Sequence, residues 1–206
     1  MIIINQSWSF EAPLNGTEIL KKLERAGRTC YKSEDRITED SAKKFVGGLL
    51  KSGHLSVLEH HNVSVRIITD RGVTHEIVRH RIASYSQEST RYVNYEKKGL
   101  VFIRPVDFVL SGKDFDFLSQ TETHYNALIN AGRTPQQARY FLPNGLKTEL
   151  VMTANLREWR HFFTLRTAKA AHPQMRALAG GMLLGFQEAI PLVFDDIVSY
   201  GSCGAV

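Results

Sequence analysis

The chain has 206 residues, of which 43% are hydrophobic and 23% are charged, a composition typical of a globular protein with room for a real core. Its formal charge of +5 fits an anionic partner, but the excess is modest and not gathered in a basic tail, so charge alone does not indicate nucleic acid. The two cysteines favour a reducing compartment and no apolar run reaches the roughly 18 residues of a membrane span, so we expect a soluble cytoplasmic protein that does not contact membranes.

The first part of the chain predicts a strand, two helices and a second strand. Residues 2–9 look like a strand, and the amphipathic segment 17–30 predicts a helix. A second helix is predicted over 38–53, with Thr38 as its N-cap and an acidic first turn. Residues 62–69 alternate apolar and polar side chains, which is typical of a strand with one solvated face.

The rest of the chain is predicted to be mostly helical. In chain order we predict a helix over 72–81, a helix over 107–131, a helix capped by Thr134 that stops at Pro143, a strand over 147–154, and helices over 155–171 and 174–190. Helices and strands are segregated without a regular βαβ rhythm, which favours an α+β fold over a doubly wound sheet. Because we find no repeat and no linker, we expect a single domain over residues 1–206.

Residues 79–92, RHRIASYSQESTRY, combine cationic and hydroxyl side chains at high density. In the predicted helix 72–81, Glu76 shares a face with Arg79 and His80. One carboxylate cannot neutralise Arg79, His80 and Arg81 together. Clustered arginines suit a phosphate or pyrophosphate, because the guanidinium fork grips its oxygens bidentately. The alternative is a solvated basic helix end, which the helix dipole favours without any ligand.

The same segment carries polar side chains at alternate positions. Gln87, Ser89 and Arg91 have the same parity in a stretch that we expect to be extended, so they would lie on one side. An amide, a hydroxyl and a guanidinium together would recognise a polar heterocycle and its phosphate. The alternative is an ordinary loop, since small polar residues also make loops.

Arg166 lies on the apolar side of the predicted helix 155–171. At about 100° per residue, one broad arc around it gathers these apolar residues: Leu156, Trp159, Phe162, Phe163, Leu165 and Ala170. A buried guanidinium is destabilising by roughly several kcal/mol unless it is paired. Three explanations stay open: an ion pair with a buried Asp or Glu, a side chain that reaches past its neighbours to solvent, or a ligand that supplies the acceptor.

The segment SGHLSVLEHH, at 52–61, gathers His54, Glu59, His60 and His61. Its spacing matches neither H-E-x-x-H nor a zinc-finger pattern, and no cysteine joins it. We therefore expect capping and hydrogen-bonding roles for these residues and no metal.

The segment RHR followed by seven residues and a serine resembles the motif of the flavin-dependent thymidylate synthases, here formed by Arg79, His80, Arg81 and Ser89. Further segments resemble that family in the same order along the chain: RTCYKS, GHLSVLEH, ARYFLP, NLREWRHFFTLR and HPQMR. The resemblance implies a central, mainly antiparallel sheet flanked by helices. It also implies a homotetramer whose active sites lie between subunits.

The resemblance further implies a reaction and a set of binding residues. The family converts dUMP to dTMP with a methylene group from 5,10-methylenetetrahydrofolate and a hydride from reduced FAD, which NADPH regenerates, and it implies no nucleic-acid partner. By analogy, FAD would be held by Ser56, Arg79, His80, Arg81, Gln87, Asn155, Arg157 and His161. The substrate dUMP would be held by Glu76, Arg79, Gln87, Glu88, Ser89, Thr90, Arg91, Arg139 and Arg166.

Two of these residues would be catalytic. Arg166 would stabilise the negative charge that develops on the pyrimidine as its N3 ionises, a task suited to a weakly screened guanidinium. Ser89 would position the substrate rather than attack it, because no general base clearly accompanies it in the sequence. The chain departs from the family's pattern at Glu76, where glutamine is common, and at His161, where asparagine is common. His172 follows Arg166 at a longer spacing than in some members.

Two other functions stay open on the sequence. A single-stranded nucleic-acid binder would place arginines on phosphates and stack Tyr85, Tyr92 and Tyr95 on bases. A metal-dependent hydrolase would use the histidines and the glutamate of the segment 52–61.

Overall fold

The computed structural model describes residues 1–200 and confirms the predicted α+β class. The strands are Ile2–Ile4 (β1), Ser7–Phe10 (β2), Asn62–Asp70 (β3), Ala83–Gln87 (β4), Val101–Ile103 (β5) and Lys147–Asn155 (β6). The α-helices are Gly16–Thr29 (α1), Ser41–Lys51 (α2), Arg71–Ile77 (α3), Gly112–Asn130 (α4), Pro135–Ala138 (α5), Leu156–Arg166 (α6) and Pro173–Ala189 (α7). Short 3₁₀ turns lie at Glu34–Arg36, Leu55–His60 and Arg139–Phe141. Cys30 is exposed, and Cys203 lies outside the described residues.

The strands form two sheets. Four of them make a sheet in the order β2-β3-β6-β4, and β1 pairs in parallel with β5 in a separate two-stranded sheet. The predicted mainly antiparallel sheet flanked by helices is confirmed. The predicted single strand 2–9 is wrong, because Ile2–Ile4 pairs with Val101–Ile103 whereas Ser7–Phe10 joins the larger sheet.

The two long strands match their predictions closely. In β3 and in β6, buried side chains alternate with half-buried ones along the strand. This period of two is the signature of a strand with one face on the core and one face outside. Strand β6 then runs directly into α6, because Asn155 ends the strand and also caps the helix.

The described chain divides into two compact units, each with its own core. The first comprises residues 1–9, 66–79 and 85–151, and the second comprises residues 10–65, 80–84 and those from 152 onward. The core of the first unit consists of Tyr95, Leu100, Phe102, Tyr125, Ala138 and Leu146. The core of the second unit contains five fully buried aromatic side chains: Trp159, Phe162, Phe163, Phe186 and Phe194. The single domain stays a prediction.

Helix starts follow local capping chemistry. Helix α2 begins at Ser41 rather than at Thr38, since the Ser41 hydroxyl accepts a hydrogen bond from the Thr38 amide at 2.9 Å, outside the helix. Helix α4 begins at Gly112 rather than at 107, where a capping box starts it. Helix α5 has the predicted Thr134 cap. No helix among residues 1–200 is both long enough and apolar enough to cross a membrane.

Three helices end at least four residues earlier than predicted. Helix α5 ends at Ala138 instead of Pro143 and is followed by the 3₁₀ turn Arg139–Phe141. Helix α3 ends at Ile77 instead of Arg81, and α6 ends at Arg166 instead of 171. After α6 the chain turns and restarts with Pro173 at the first position of α7. Proline cannot donate a backbone hydrogen bond and disfavours helix in the residue before it, so it begins a new helix rather than continuing the old one.

Candidate active site

The basic RHR segment lies beyond the end of helix α3. Because the helix ends at Ile77, Arg79 and His80 do not share a helical face with Glu76, and that prediction is wrong. The Arg79 amide donates to the Glu76 carbonyl at 3.2 Å and closes the last turn. Arg79 and Arg81 are exposed, whereas His80 is only 4% exposed. The segment therefore gives two guanidinium groups to solvent and one imidazole to the protein interior.

His80 joins a carboxylate to a guanidinium inside the second unit. Its Nδ1 lies 3.1 Å from Oε1 of Glu158. Its Nε2 lies 3.0 Å from Nε of Arg166. Arginine only donates, so Nε2 accepts, and Nδ1 must carry the hydrogen that is donated to Glu158. The imidazole is therefore neutral, in the Nδ1–H form, and engaged at both nitrogens.

The surroundings of His80 keep it neutral. Burial lowers its pKa from 6.5, because an imidazolium loses its hydration there. The hydrogen bond to Glu158 opposes this shift, and the nearby charge of Arg166 adds to it. The rings of His161 and Phe162 meet the His80 ring edge-on, with centroids 5.6 and 5.0 Å away. A lowered pKa agrees with a neutral ring whose Nε2 accepts a hydrogen bond.

Helix α6 supplies further predicted site residues at its N-terminus. The side chain of Asn155 accepts from the Glu158 amide at 2.9 Å, so it caps the helix. Arg157 forms an ion pair with Glu59 at 2.6 Å, and their side chains are 53% and 45% exposed. An exposed pair of this kind is weak and screened by salt, so Arg157 can exchange its carboxylate partner for a phosphate at little cost. Ser56 and His161 are also exposed.

The predicted apolar arc of α6 is partly confirmed. Four of its six members are fully buried: Leu156, Trp159, Phe162 and Phe163. Leu165 is 48% exposed, and Ala170 lies beyond the end of the helix and is exposed. Arg166, the last helical residue, is half-buried at the edge of this core. It hydrogen-bonds the His80 imidazole there, a partner that was not among the three explanations considered from the sequence.

Several predicted substrate residues lie in the first unit. Gln87 ends strand β4, and its amide nitrogen donates to the hydroxyls of Thr74 at 3.0 Å and Thr148 at 3.3 Å. Both threonines are fully buried. The Gln87 amide therefore uses its donors inside the protein, which fixes the end of the strand. Glu76 is half-buried on α3.

Glu88 follows the strand and anchors a small charged network. It accepts from the Tyr95 hydroxyl and from Nζ of Lys147, both at 2.8 Å. Burial and then the neighbouring carboxylate raise the pKa of Tyr95, so its hydroxyl stays protonated and donates. Gln87, Glu88, Tyr95 and Lys147 also line a cavity of about 580 Å³, a volume within the range of small-molecule sites.

Ser89 and Arg91 lie in a turn, and the predicted extended conformation is wrong. Two later backbone amides donate to the Ser89 carbonyl, and the Arg91 amide donates to its hydroxyl at 3.3 Å. Nε of Arg91 donates to the Gln136 side chain at 2.9 Å. A terminal nitrogen of Arg139 donates to the hydroxyl of the buried Thr90 at 3.3 Å. In the described part of the chain, both guanidinium groups have neutral partners and neither pairs with a carboxylate.

The predicted site residues therefore divide into two sets, one in each compact unit. The second unit holds Ser56, His80, Arg81, Asn155, Arg157, His161 and Arg166. The first unit holds Glu76, Arg79, Gln87, Glu88, Ser89, Thr90, Arg91 and Arg139.

Sequence reasoning missed Glu158 and Lys147, and it considered Tyr95 only as a ring that could stack on a nucleic-acid base. For Glu158 a signal existed, because the helical wheel that singled out Arg166 puts Glu158 only about 40° from Phe162. A carboxylate beside a buried ring is as unusual as a guanidinium there. For Tyr95 and Lys147 no local signal existed, since their link to Glu88 depends on tertiary structure.

The proposed metal ligands at 52–61 do not converge. Within residues 1–200, the group of three or more histidine or carboxylate side chains whose ligand atoms all lie within 4.8 Å of one another consists of His80, Glu158 and His161. Glu59 pairs with Arg157 instead. The Arg166 guanidinium beside His80 disfavours a further cation at that group.

The tyrosines proposed to stack on nucleic-acid bases have different environments. Tyr92 is 77% exposed, whereas Tyr95 is 8% exposed and holds Glu88. The Tyr85 hydroxyl donates to the Ile77 carbonyl at 2.9 Å. Two of the three rings are therefore already committed to the protein interior, which argues against a stacking platform.

Comparison with known proteins gives a consistent match. The profile of a family described as thymidylate synthase complementing protein matches residues 15–192. A flavin-dependent thymidylate synthase from Geobacter sulfurreducens is 35% identical over 182 residues, which cover 83% of this chain and 78% of the relative. The Pyrococcus furiosus protein of the same description is 37% identical over 164 residues, or 76% of this chain and 67% of the relative.

Solved structures share the fold. The crystal structure of thymidylate synthase X from Helicobacter pylori with FAD and dUMP superimposes with a TM-score of 0.76 and 24% sequence identity. The match covers 95% of this chain and 100% of the other. The UMP/dUMP methylase PolB from Streptomyces cacaoi, bound with 5-Br UMP, has a TM-score of 0.75 and 18% identity, with 95% of each chain covered.

Proposed function

The chain belongs to the flavin-dependent thymidylate synthase family, and we propose that it converts dUMP to dTMP with 5,10-methylenetetrahydrofolate as carbon donor and NADPH as the final reductant. In this reaction the methylene carbon and one hydride together become the methyl group at C5 of the pyrimidine. The family assignment makes the protein a methyltransferase that depends on FAD.

The observation that carries the mechanism is the setting of Arg166. Its guanidinium is half-buried and hydrogen-bonds an imidazole that is itself neutral. A positive charge in such a setting is weakly screened and attracts an ionised pyrimidine strongly. We assign Arg166 to stabilising the negative charge that forms as N3 of dUMP loses its proton. This polarisation activates the pyrimidine without a covalent thiol.

The phosphate of dUMP fits the turn that carries Ser89. Arg91 and Arg139 have only neutral hydrogen-bond partners within the described residues, so an added phosphate would supply the missing negative charge. The Ser89 hydroxyl accepts a hydrogen bond from the Arg91 amide, and Ser89 has no carboxylate or imidazole partner in residues 1–200. We therefore assign Ser89 to positioning, in agreement with the family resemblance. Glu88 and Thr90 hold the two sides of this turn.

The exposed cations of the RHR segment and of α6 fit the pyrophosphate of FAD. Arg79 and Arg81 are exposed, and the Arg157–Glu59 pair can open at little cost. We also assign Ser56, Asn155 and His161 to contact with the cofactor. When bound, FAD supplies the hydride that completes the methyl group. His80 and Gln87 use polar atoms on internal partners, so we assign them to holding the site in shape.

We propose a homotetramer with active sites at subunit interfaces. Large exposed apolar side chains support an assembly, among them Val109 at 93%, Tyr140 at 82% and Ile82 at 70% exposure. Contiguous exposed apolar patches mark sites of protein–protein contact, and such side chains would be covered in an assembly. We further propose that the enzyme acts in the cytoplasm and needs no nucleic-acid partner.

The test is direct. Purified protein is expected to show flavin absorption bands that shift when dUMP is added, and to form dTMP when 5,10-methylenetetrahydrofolate and NADPH are supplied. Light scattering on the same sample is expected to give four chains per particle. A colourless protein that takes up no added FAD, or one that binds oligonucleotides in a salt-dependent way, would contradict the proposal.

A further inference from the structure

The carboxylate of Glu158 has no assigned role, yet it lies against the centre of the site. It is 7% exposed and lies in the first turn of α6. Its Oε1 lies 3.1 Å from Nδ1 of His80. A buried carboxylate destabilises a protein unless it is well paired, and a neutral imidazole is a weaker partner than a cation.

We propose that Glu158 is a positioning residue for the reaction: it fixes His80 in the Nδ1–H form, and His80 thereby fixes the guanidinium of Arg166. This inference rests on the proposed function of Arg166 in ionising the pyrimidine.

The hydrogens carried by Glu158, His80 and Arg166 determine which of these groups can donate and which can accept. An ionised carboxylate only accepts, so Glu158 selects the imidazole form whose hydrogen is on Nδ1. Nε2 is then free of hydrogen and can accept from Nε of Arg166 at 3.0 Å. In the opposite form, Nε2 would carry a hydrogen and would face the Nε–H of Arg166, donor against donor. The hydrogen bond that orients Nε of Arg166 would then be lost.

Protonation of His80 would have the same effect. The charged and titratable groups that face its ring are Glu158, His161 and Arg166, all from α6. An imidazolium beside Arg166 would replace their hydrogen bond by repulsion. Glu158 opposes the lowering of the His80 pKa, so its removal is expected to lower that pKa further. A change in the acid limb of the activity profile therefore reports on this contact.

The experiment compares Glu158→Ala and Glu158→Gln with a matched control. The control is Glu24→Gln, which alters another buried carboxylate of the second unit, 1% exposed and paired with Arg28 at 2.7 Å. The form of His80 is read by ¹⁵N NMR of imidazole-labelled protein, with the resonance identified through His80→Asn. Bound flavin, kcat and the Michaelis constant for dUMP are measured on the same proteins across acid and neutral pH.

We expect Glu158→Ala to lose the fixed Nδ1–H form and to lower kcat by about 10- to 100-fold, the range typical of groups that orient an active imidazole. Its acid limb moves to lower pH while its flavin content stays that of the parent. Glu158→Gln keeps an acceptor oxygen for Nδ1, so it is expected to recover most of kcat and the Nδ1–H signal. Glu24→Gln is expected to lower stability and leave kcat and the His80 signal unchanged.

Three results would overturn the inference: Glu158→Ala with the parent's kcat, Glu158→Ala with His80 still fully in the Nδ1–H form, or an equal loss of kcat in Glu24→Gln. If Glu158→Ala does not fold, Glu158→Asp gives the same contrast, because its shorter carboxylate retracts from Nδ1. A parent enzyme that makes no dTMP would overturn the proposed function itself. An active parent with an unaffected Glu158→Ala variant would overturn this inference alone.

Discussion

Replacing Arg166 with alanine is expected to leave FAD bound and to remove most of the turnover. Arg166 is the last residue of α6, and its Nε donates a hydrogen bond to the neutral ring of His80 at 3.0 Å. Alanine removes this positive charge and its hydrogen bond to the imidazole. The groups that we assign to FAD, such as Arg81 and Arg157, keep their positions.

The magnitude follows from the role of the charge. A preorganised donor aimed at a negative charge that develops during the reaction contributes roughly 2.7–4 kcal/mol, so its loss lowers kcat by about 10²- to 10³-fold. The variant also leaves Nε2 of the buried His80 without its donor, which destabilises the fold by about 1–3 kcal/mol. The fold persists, because the aromatic core beside α6 is unchanged.

The assay measures kcat at saturating dUMP, flavin absorbance and thermal unfolding on the same preparation. Arg160→Ala is the control, since Arg160 lies on the same helix and binds Asp196 through two nitrogens, both at 2.6 Å. It loses one positive charge and one ion pair away from His80, and we expect near-parental kcat. Arg166→Lys keeps the charge without the planar fork and is expected to recover only part of the activity.

Normal turnover by Arg166→Ala would refute the role that we give to this guanidinium. Equal losses in Arg166→Ala and Arg160→Ala would also refute it, because they would point to the stability of α6 rather than to the pyrimidine. Loss of flavin together with activity in Arg166→Ala would place the side chain on the cofactor instead.

Three further outcomes are expected. Arg79→Ala and Arg81→Ala should weaken FAD retention, measured as flavin per chain after gel filtration, and parental occupancy in both would contradict our placement of the pyrophosphate. Phe163→Ala should lower the free energy of unfolding by about 3–5 kcal/mol in urea titrations, because it empties a fully buried aromatic site; a loss below about 1 kcal/mol would argue against the described core. Burial lowers the pKa of His61 and His80 in the folded protein from 6.5. Below that pH the unfolded chain therefore binds more protons than the folded protein, and the free energy of unfolding should fall as the pH drops. His80→Asn should reduce this slope, and a pH-independent free energy of unfolding would contradict it.

Much of the fold is visible in the sequence because its signals are local. The alternation over residues 62–69 and 147–154 predicts β3 and β6, and their burial alternates as expected. The Thr134-Pro135 start of α5 is likewise decided by capping chemistry within one turn. In each case the deciding contacts lie within a few residues of one another.

The failures occur where distant contacts decide. Continuing α3 as a regular helix to Arg81 would keep His80 one turn from Glu76. The structure instead ends the helix at Ile77 and buries His80 against Glu158, 78 residues away in the chain. The break after Ile4 has the same origin, because β1 pairs with a strand that begins at Val101. No window of local sequence contains either partner.

The candidate site shows the same division. The family motif locates the basic and hydroxyl residues, and the helical wheel singles out Arg166. Neither shows that His80 is the group to which Arg166 is bound, since that contact joins residues 86 positions apart. The chemical types were predictable from sequence, whereas the order in which they connect was not.

The connection of Glu158 through His80 to Arg166 has a physical meaning of its own. Apolar side chains at the positions of His80 and Glu158 would pack beside Phe162 without any desolvation cost, and replacing buried polar networks in this way often stabilises a protein. The chain instead buries a carboxylate and an imidazole and joins them to a half-buried guanidinium. The carboxylate and the guanidinium carry opposite charges at the two ends of a neutral ring, so the network is satisfied internally while the positive end stays at the edge of the core. An arrangement that gives up stability to fix one guanidinium is what a reaction that creates negative charge on its substrate requires.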